Sequence, residues 1–192
     1  MKSGIKITSL PADEIAKVLK ATFAKAMASN PAAAADLARS MAEALAATGA
    51  SPDEIAATMQ EALNASLNNA DIDHLDELLD VADTVAKSMA EAGASPDEIA
   101  AAMKSAFEAA GKADDPFVAE ELAISMAKAL ATAGASPEDI VKALQESLKS
   151  TGASPEEMAR TLLTAIATSG VDPEDIAKTM QTLLADSGII IY

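Results

Sequence analysis

Large apolar residues recur at every fourth position inside otherwise polar, alanine-rich segments. Ile15, Leu19, Phe23 and Met27 form one such run, and Ile55, Met59, Leu63 and Leu67 form a second. Shorter sets, Ile99, Met103, Phe107 and Ile140, Leu144, Leu148, repeat the pattern. A narrow apolar stripe with a period near 3.6 residues marks an amphipathic α-helix.

The punctuation between stripes is as regular as the stripes. GASP occurs at Gly49, Gly93, Gly134 and Gly152, and GVDP at Gly170, each followed by two acidic residues and then Ile or Met. Gly can take the left-handed conformation that closes a helix, and the small apolar residue after it can cover the last turn. Ser51, Ser95, Ser136, Ser154 or Asp172 then caps the next helix, with Pro at its first position. Glu54, Glu98 and Glu157 stand at the third helical position, completing a capping box, and Asp139 and Asp175 are shorter stand-ins. With further breaks at Pro11, Asn30-Pro31, Asn68-Asn69-Ala70-Asp71 and Asp115-Pro116, this spacing predicts nine helices. They fall near 11–29, 31–48, 52–68, 72–92, 96–111, 116–133, 137–151, 155–169 and 173–187.

A longer period overlies the short one. PAAAADLARSMAEALAATGAS from Pro31 matches PFVAEELAISMAKALATAGAS from Pro116, and the stretch from Val81 to Ser95 is a diverged relative. Residues 10–136 therefore read as three helix pairs of roughly 41 to 44 residues, and 137–187 as three single-helix units 18 residues apart. No unit can bury its stripe alone, so stacked neighbours must supply the core of one continuous domain, 1–192. The ends depart from the pattern: residues 1–9 alternate around Ile5 and Ile7, and residues 188–192 contain Ile189, Ile190, Ile191 and Tyr192. Both are β-prone, and isolated short strands need a pairing partner, within one molecule or between molecules.

Composition refines this reading. Of 192 residues 47 are Ala, so close helix packing is expected wherever Ala lines a contact. Cys is absent, which excludes disulfides, thiol catalysis and Cys-ligated metal sites. The formal charge is -16, from 30 acidic and 14 basic side chains, and this balance opposes binding to phosphate backbones or anionic lipid. Nucleic acid and membrane are therefore not expected partners. No secretory signal pattern or membrane-spanning stretch is present, so the chain as written reads as cytoplasmic or as a processed mature form. Twelve of the acids form six doublets at helix starts, from Asp13-Glu14 to Glu174-Asp175, where the helix dipole favours them.

The densest cluster of chemically capable side chains is Asp71, Asp73, His74, Asp76, Glu77, Asp80 and Asp83. Asp71, Asp73, His74 and Asp76 are the candidate metal ligands, since clustered carboxylates with an imidazole can hold a hard or borderline cation. The calcium-loop template is not met, because Leu75 stands at its fifth position and no Gly follows. Helix capping and a solvated acidic face account for the same residues without a ligand. Met41, Met59, Met103, Met126 and Met180 share one register, but Leu144 and Leu162 hold that register in sister repeats, which argues for core packing. No phosphate-binding loop, dinucleotide fingerprint or metalloprotease motif occurs, so no catalytic residue and no cofactor are assigned.

At Gly134 the junction reads G-x-S-x-E-x-I, a cadence that resembles helix starts in two groups of helical-repeat nucleic-acid binders, the mitochondrial termination-factor and TAL-effector-like arrays. The resemblance is confined to helix punctuation. Those families present basic faces or base-reading loops, where this chain is acidic and its loops are GASP, so no residue is carried over from them.

The sequence thus reads as an all-α, solenoid-like stack of about nine short antiparallel helices with β-prone ends. The leading functional expectation is a non-catalytic structural scaffold that self-associates into a filament or ring, with Ile5, Ile7, Ile189, Ile190, Ile191 and Tyr192 as the contact residues. A monomeric protein- or peptide-binding repeat module is the alternative. A consensus-type repeat without a biological task is the third reading, favoured by the uniform GASP junctions and opposed by the uneven spacings.

Overall fold

The computed structural model describes residues 12–29, 32–69, 75–113, 116–172 and 174–179. Among the described residues the chain is all-helical. The helices are α1 (Ala12–Ser29), α2 (Ala32–Ala47), α3 (Pro52–Asn69), α4 (Leu75–Glu91), α5 (Pro96–Ala113), α6 (Pro116–Thr132), α7 (Pro137–Lys149) and α8 (Pro155–Thr168). A ninth, α9, is described over 174–179. The terminal segments containing Ile5, Ile7 and Ile189 to Tyr192 lie outside the described residues.

The helix starts follow from the caps. Ser51 Oγ accepts from the Glu54 N–H at 3.3 Å, while the Ser51 N–H donates to Glu54 Oε2 at 2.8 Å. Ser95 with Glu98 and Ser154 with Glu157 form the same reciprocal box. At Ser136 the Asp139 N–H donates to Oγ at 3.2 Å and Oγ donates back to Asp139 Oδ2 at 2.6 Å. The carboxylate there is one methylene shorter, and no bond to the Ser136 N–H is made among the described contacts. Asp172 caps differently again, its Oδ1 accepting from the Glu174 N–H at 2.8 Å.

The stops are set by glycine. Gly49, Gly93, Gly134, Gly152 and Gly170 have φ between 78° and 86°, the left-handed region that a Cβ disfavours. After α2, α4 and α6 the backbone closes on itself: the Ala50, Ala94 and Ala135 N–H groups donate to the Leu45, Met89 and Leu130 carbonyls. With the Gly49-to-Ala46, Gly93-to-Ala90 and Gly134-to-Ala131 bonds, which span fewer residues, this is the two-bond Schellman closure. After α7 and α8 a hydroxyl is inserted instead. Thr151 Oγ1 donates to the Leu148 carbonyl at 2.8 Å and accepts from the Ala153 N–H at 3.3 Å. Ser169 does the same between Ile166 and Val171.

From α1 to α8 each helix packs on its chain neighbour and on the helix two along. Helices α1, α3, α5 and α7 contact one another in series, as do α2, α4, α6 and α8, and sequential pairs close the space between. The result is a two-layer stack, odd helices in one layer and even helices in the other. Short turns make consecutive helices antiparallel, so even-to-odd turns lie on one rim and odd-to-even turns on the other. The change of repeat length near residue 137 leaves this alternation intact. Before it, GASP junctions serve only the even-to-odd rim. After it glycine junctions of this kind serve both rims, because α7 joins α8 through the GASP at Gly152 and α8 joins α9 through the GVDP at Gly170.

The core runs unbroken between the layers. Phe23, Met41, Met59, Met89, Met103, Phe107, Leu122, Met126 and Leu144 are fully buried, as are alanines such as Ala34, Ala38, Ala102, Ala106, Ala123 and Ala127. The described methionines of the shared register are core residues, and Met180 lies outside the described residues. Helix α5 passes through Gly111 and ends at Ala113, two residues beyond the sequence expectation. A Cβ on Gly111 would lie 2.7 Å from Thr151 Cα and 3.0 Å from the Ser150 carbonyl oxygen. That glycine therefore does not end its helix; it admits the α7–α8 turn against it.

Candidate functional site

The acidic doublets resolve into local helix chemistry. Two bonds from Ser51, the backbone N–H first, hold the Glu54 carboxyl below the ordinary carboxylate range. The Ser154 hydroxyl, followed by its N–H, does the same for Glu157. An acceptor committed to a cap is not poised to take a substrate proton, so these pairs serve helix starts.

Asp71, Asp73 and His74 lie outside the described residues, as does the side chain of Asp76. Of the same sequence cluster, Asp80 is exposed on α4, and Asp83 accepts a 2.7 Å bond from Ser125 Oγ across to α6. Asp83 thus ties two helices of the even layer. Among the described residues no group of three or more metal-ligating side chains converges. None of the described helices is long and apolar enough to cross a membrane.

Shallow clefts mark where helices of one layer run side by side. The α5–α7 cleft, about 330 Å³, is floored by Ala100, Ala101 and Ala143 between Lys104, Lys142 and Glu146. The α4–α6 cleft, about 240 Å³, is lined by Leu79, Leu122 and Ile124 together with Asp80, Asp83 and Glu121. The α2–α4 cleft, about 130 Å³, is floored by Ala42, Ala46 and Ala92. A fourth, about 80 Å³, opens beside the α7–α8 turn between Pro116 and Arg160. Charge pairs tie neighbours within a layer, Lys20–Glu61 between α1 and α3 and Arg160–Glu120, 3.9 Å apart, between α8 and α6.

Among the described residues the large apolar side chains left exposed are Val18 at 61%, Phe117 at 62% and Leu163 at 50%. Phe117 is on α6, which has layer neighbours on both sides; among the described side chains α3, α4 and α5 contribute none. Lys20 reaches toward α3 through Glu61, and positions two apart on a helix project about 200° apart, so Val18 faces away from α3 at the open end of the odd layer. Sequence reading missed Val18 because it lies just off the Ile15–Leu19–Phe23 stripe. The signal was there: an isolated β-branched apolar residue between Lys17 and the core position Leu19.

No known protein-family model matches this chain, and no curated protein is significantly similar to it in sequence.

Proposed function

We propose that this protein is a non-catalytic helical-repeat scaffold that associates with further copies of itself through the ends of the stack. The observation that carries the reading is Val18. Helices α3 to α6 have layer neighbours on both flanks, and Phe117 on α6 is nonetheless 62% exposed, whereas α1 has only α3 beside it and leaves Val18 61% exposed on the opposite side, where a second copy can cover it. A repeat stack that leaves an apolar side chain exposed on its terminal helix gains by covering it with another copy, because removing that surface from water is favourable.

Light scattering on the full chain over a wide concentration range tests this. The expected mass exceeds that of one chain and rises with concentration, and Val18→Lys lowers it. A chain that stays monomeric throughout, with the same mass after removal of residues 188–192, overturns the reading.

A further inference from the structure

We propose that the α4–α6 cleft is the receptor for residues 2–7 of a second copy of this chain. The inference rests on self-association and adds to the contact at the stack end a second pair of surfaces, one of them in the middle of the even layer. Of the four clefts, this one combines large apolar side chains, Leu79 and Ile124 over a floor of Leu122, with three carboxylates, Asp80, Asp83 and Glu121, against a single Lys128. Ser125 fixes Asp83 from across the cleft, so one wall of charge is preset. The α5–α7 and α2–α4 clefts are floored by alanine, and the former carries two lysines.

The chain carries the matching ligand at its start. From residue 2 to residue 12 there are two lysines and no acid, in a protein with a formal charge of -16. In an extended segment alternate side chains face opposite ways, so Ile5 and Ile7 form an apolar edge while Lys2 and Lys6 form a cationic one. An apolar edge with an opposing cationic edge complements a cleft in which Leu79 and Ile124 lie among carboxylates. The occupant comes from another copy because of reach. From Ile7 to Ala12 the chain spans at most about 17 Å. Helix α1 is in the odd layer of the first pair, and the exposed residues of the cleft lie on the outer side of the even layer. Two helix layers are about 20 Å thick, and α2 would also have to be passed.

A fluorescent peptide of residues 1–8 titrated onto the full-length protein, followed by anisotropy, tests the site. Asp80→Lys with Glu121→Lys is expected to weaken binding by about tenfold or more, and a peptide with both lysines changed to Glu to restore binding to that variant. Glu108→Lys with Glu146→Lys makes the same charge change on the odd layer and is expected to change affinity less than about threefold. Circular dichroism confirms that each variant is folded. Equal weakening by both pairs, or no binding by the wild type, overturns the inference. If the cleft variant fails to bind peptide yet associates like the wild type by light scattering, self-association stands and this assignment falls. If the peptide binds the cleft but the full chain is monomeric at every concentration, a second copy is not the occupant and both readings fall.

Discussion

Gly93 and Gly111 lie at opposite rims of the stack and are glycine for opposite reasons. At Gly93, on the even-to-odd rim, φ is +86° and a Cβ would meet only the Pro52 ring, at 3.6 Å from Cγ and 4.0 Å from Cβ, ordinary contacts. That glycine is required by backbone conformation. Gly111 is inside α5, where any residue is conformationally allowed, but its missing Cβ leaves room for Thr151 Cα, which would otherwise be 2.7 Å away. The first rim stacks one GASP turn beside another at a comfortable distance. On the second rim, the α7–α8 turn is pressed against the end of a helix. Two glycines with the same cost in chain entropy thus do different work, one by dihedral angle and one by volume.

The largest expected effect separates these two roles. Gly111→Ala forces backbone apart and is expected to destabilise by about 1–3 kcal/mol, more than the roughly 1 kcal/mol that alanine gains over glycine in an unobstructed helix. Gly93→Ala is expected to cost about 1–2 kcal/mol through its left-handed φ. The decisive comparison is with Asn, which tolerates that region better than Ala does. Thermal melts should rank Asn above Ala at position 93 and below Ala at position 111. The same rank at both positions would remove the distinction between the rims.

Much of the fold was legible because helix ends are local. Pro52, Pro96, Pro116, Pro137 and Pro155 begin helices where the cap pattern placed them, and the Ile15, Phe23, Met41 and Met103 positions are buried as their spacing implied. The end of α5 was not legible. Glycine usually punctuates a helix in this chain, and the partner that explains Gly111 is 40 residues away in sequence, brought near only by packing of the odd layer. The two-layer arrangement was hidden for a similar reason, since a change of repeat length from pairs to single units reads as a change of architecture although the helices simply go on alternating. The candidate surfaces were less legible still. A cleft such as α4–α6 draws residues from two helices whose register within the layer, fixed in part by Asp83 and Ser125, no single stripe encodes.

A smaller effect tests how the rims close their helices. Thr151 Oγ1 is a relay between a carbonyl and an N–H, whereas Thr48 Oγ1 only adds a 2.7 Å bond to a Leu45 carbonyl that already accepts from the Ala50 N–H. Thr151→Val keeps the shape and leaves the Ala153 N–H without its acceptor, at an expected cost of about 1 kcal/mol. Thr48→Val is expected to cost less than half of that, because the Schellman closure remains. Urea denaturation of the two variants gives the difference directly, and equal losses would mean that the hydroxyl relay contributes nothing beyond a capping bond.

The smallest effect concerns the helix starts. Glu54 and Glu157 complete reciprocal boxes, while Asp139 reaches the Ser136 hydroxyl without returning to its N–H. Asp139→Glu supplies the missing methylene and is expected to stabilise the protein by about 0.3–1 kcal/mol at neutral pH. The gain should carry the pH signature of the boxes already present. Hydrogen bonds from Ser51 and Ser154 lower the folded-state pKa of Glu54 and Glu157 below the ordinary value of 4.5. A carboxyl with a depressed folded pKa contributes its stability above the unfolded pKa and loses it as pH falls through the folded one. The advantage of Asp139→Glu over the wild type should therefore be complete at pH 7 and shrink progressively below about pH 4.5 as the boxes protonate. An advantage that persists unchanged at pH 2 would mean that helix propensity, and not a carboxylate accepting from Ser136, is its source.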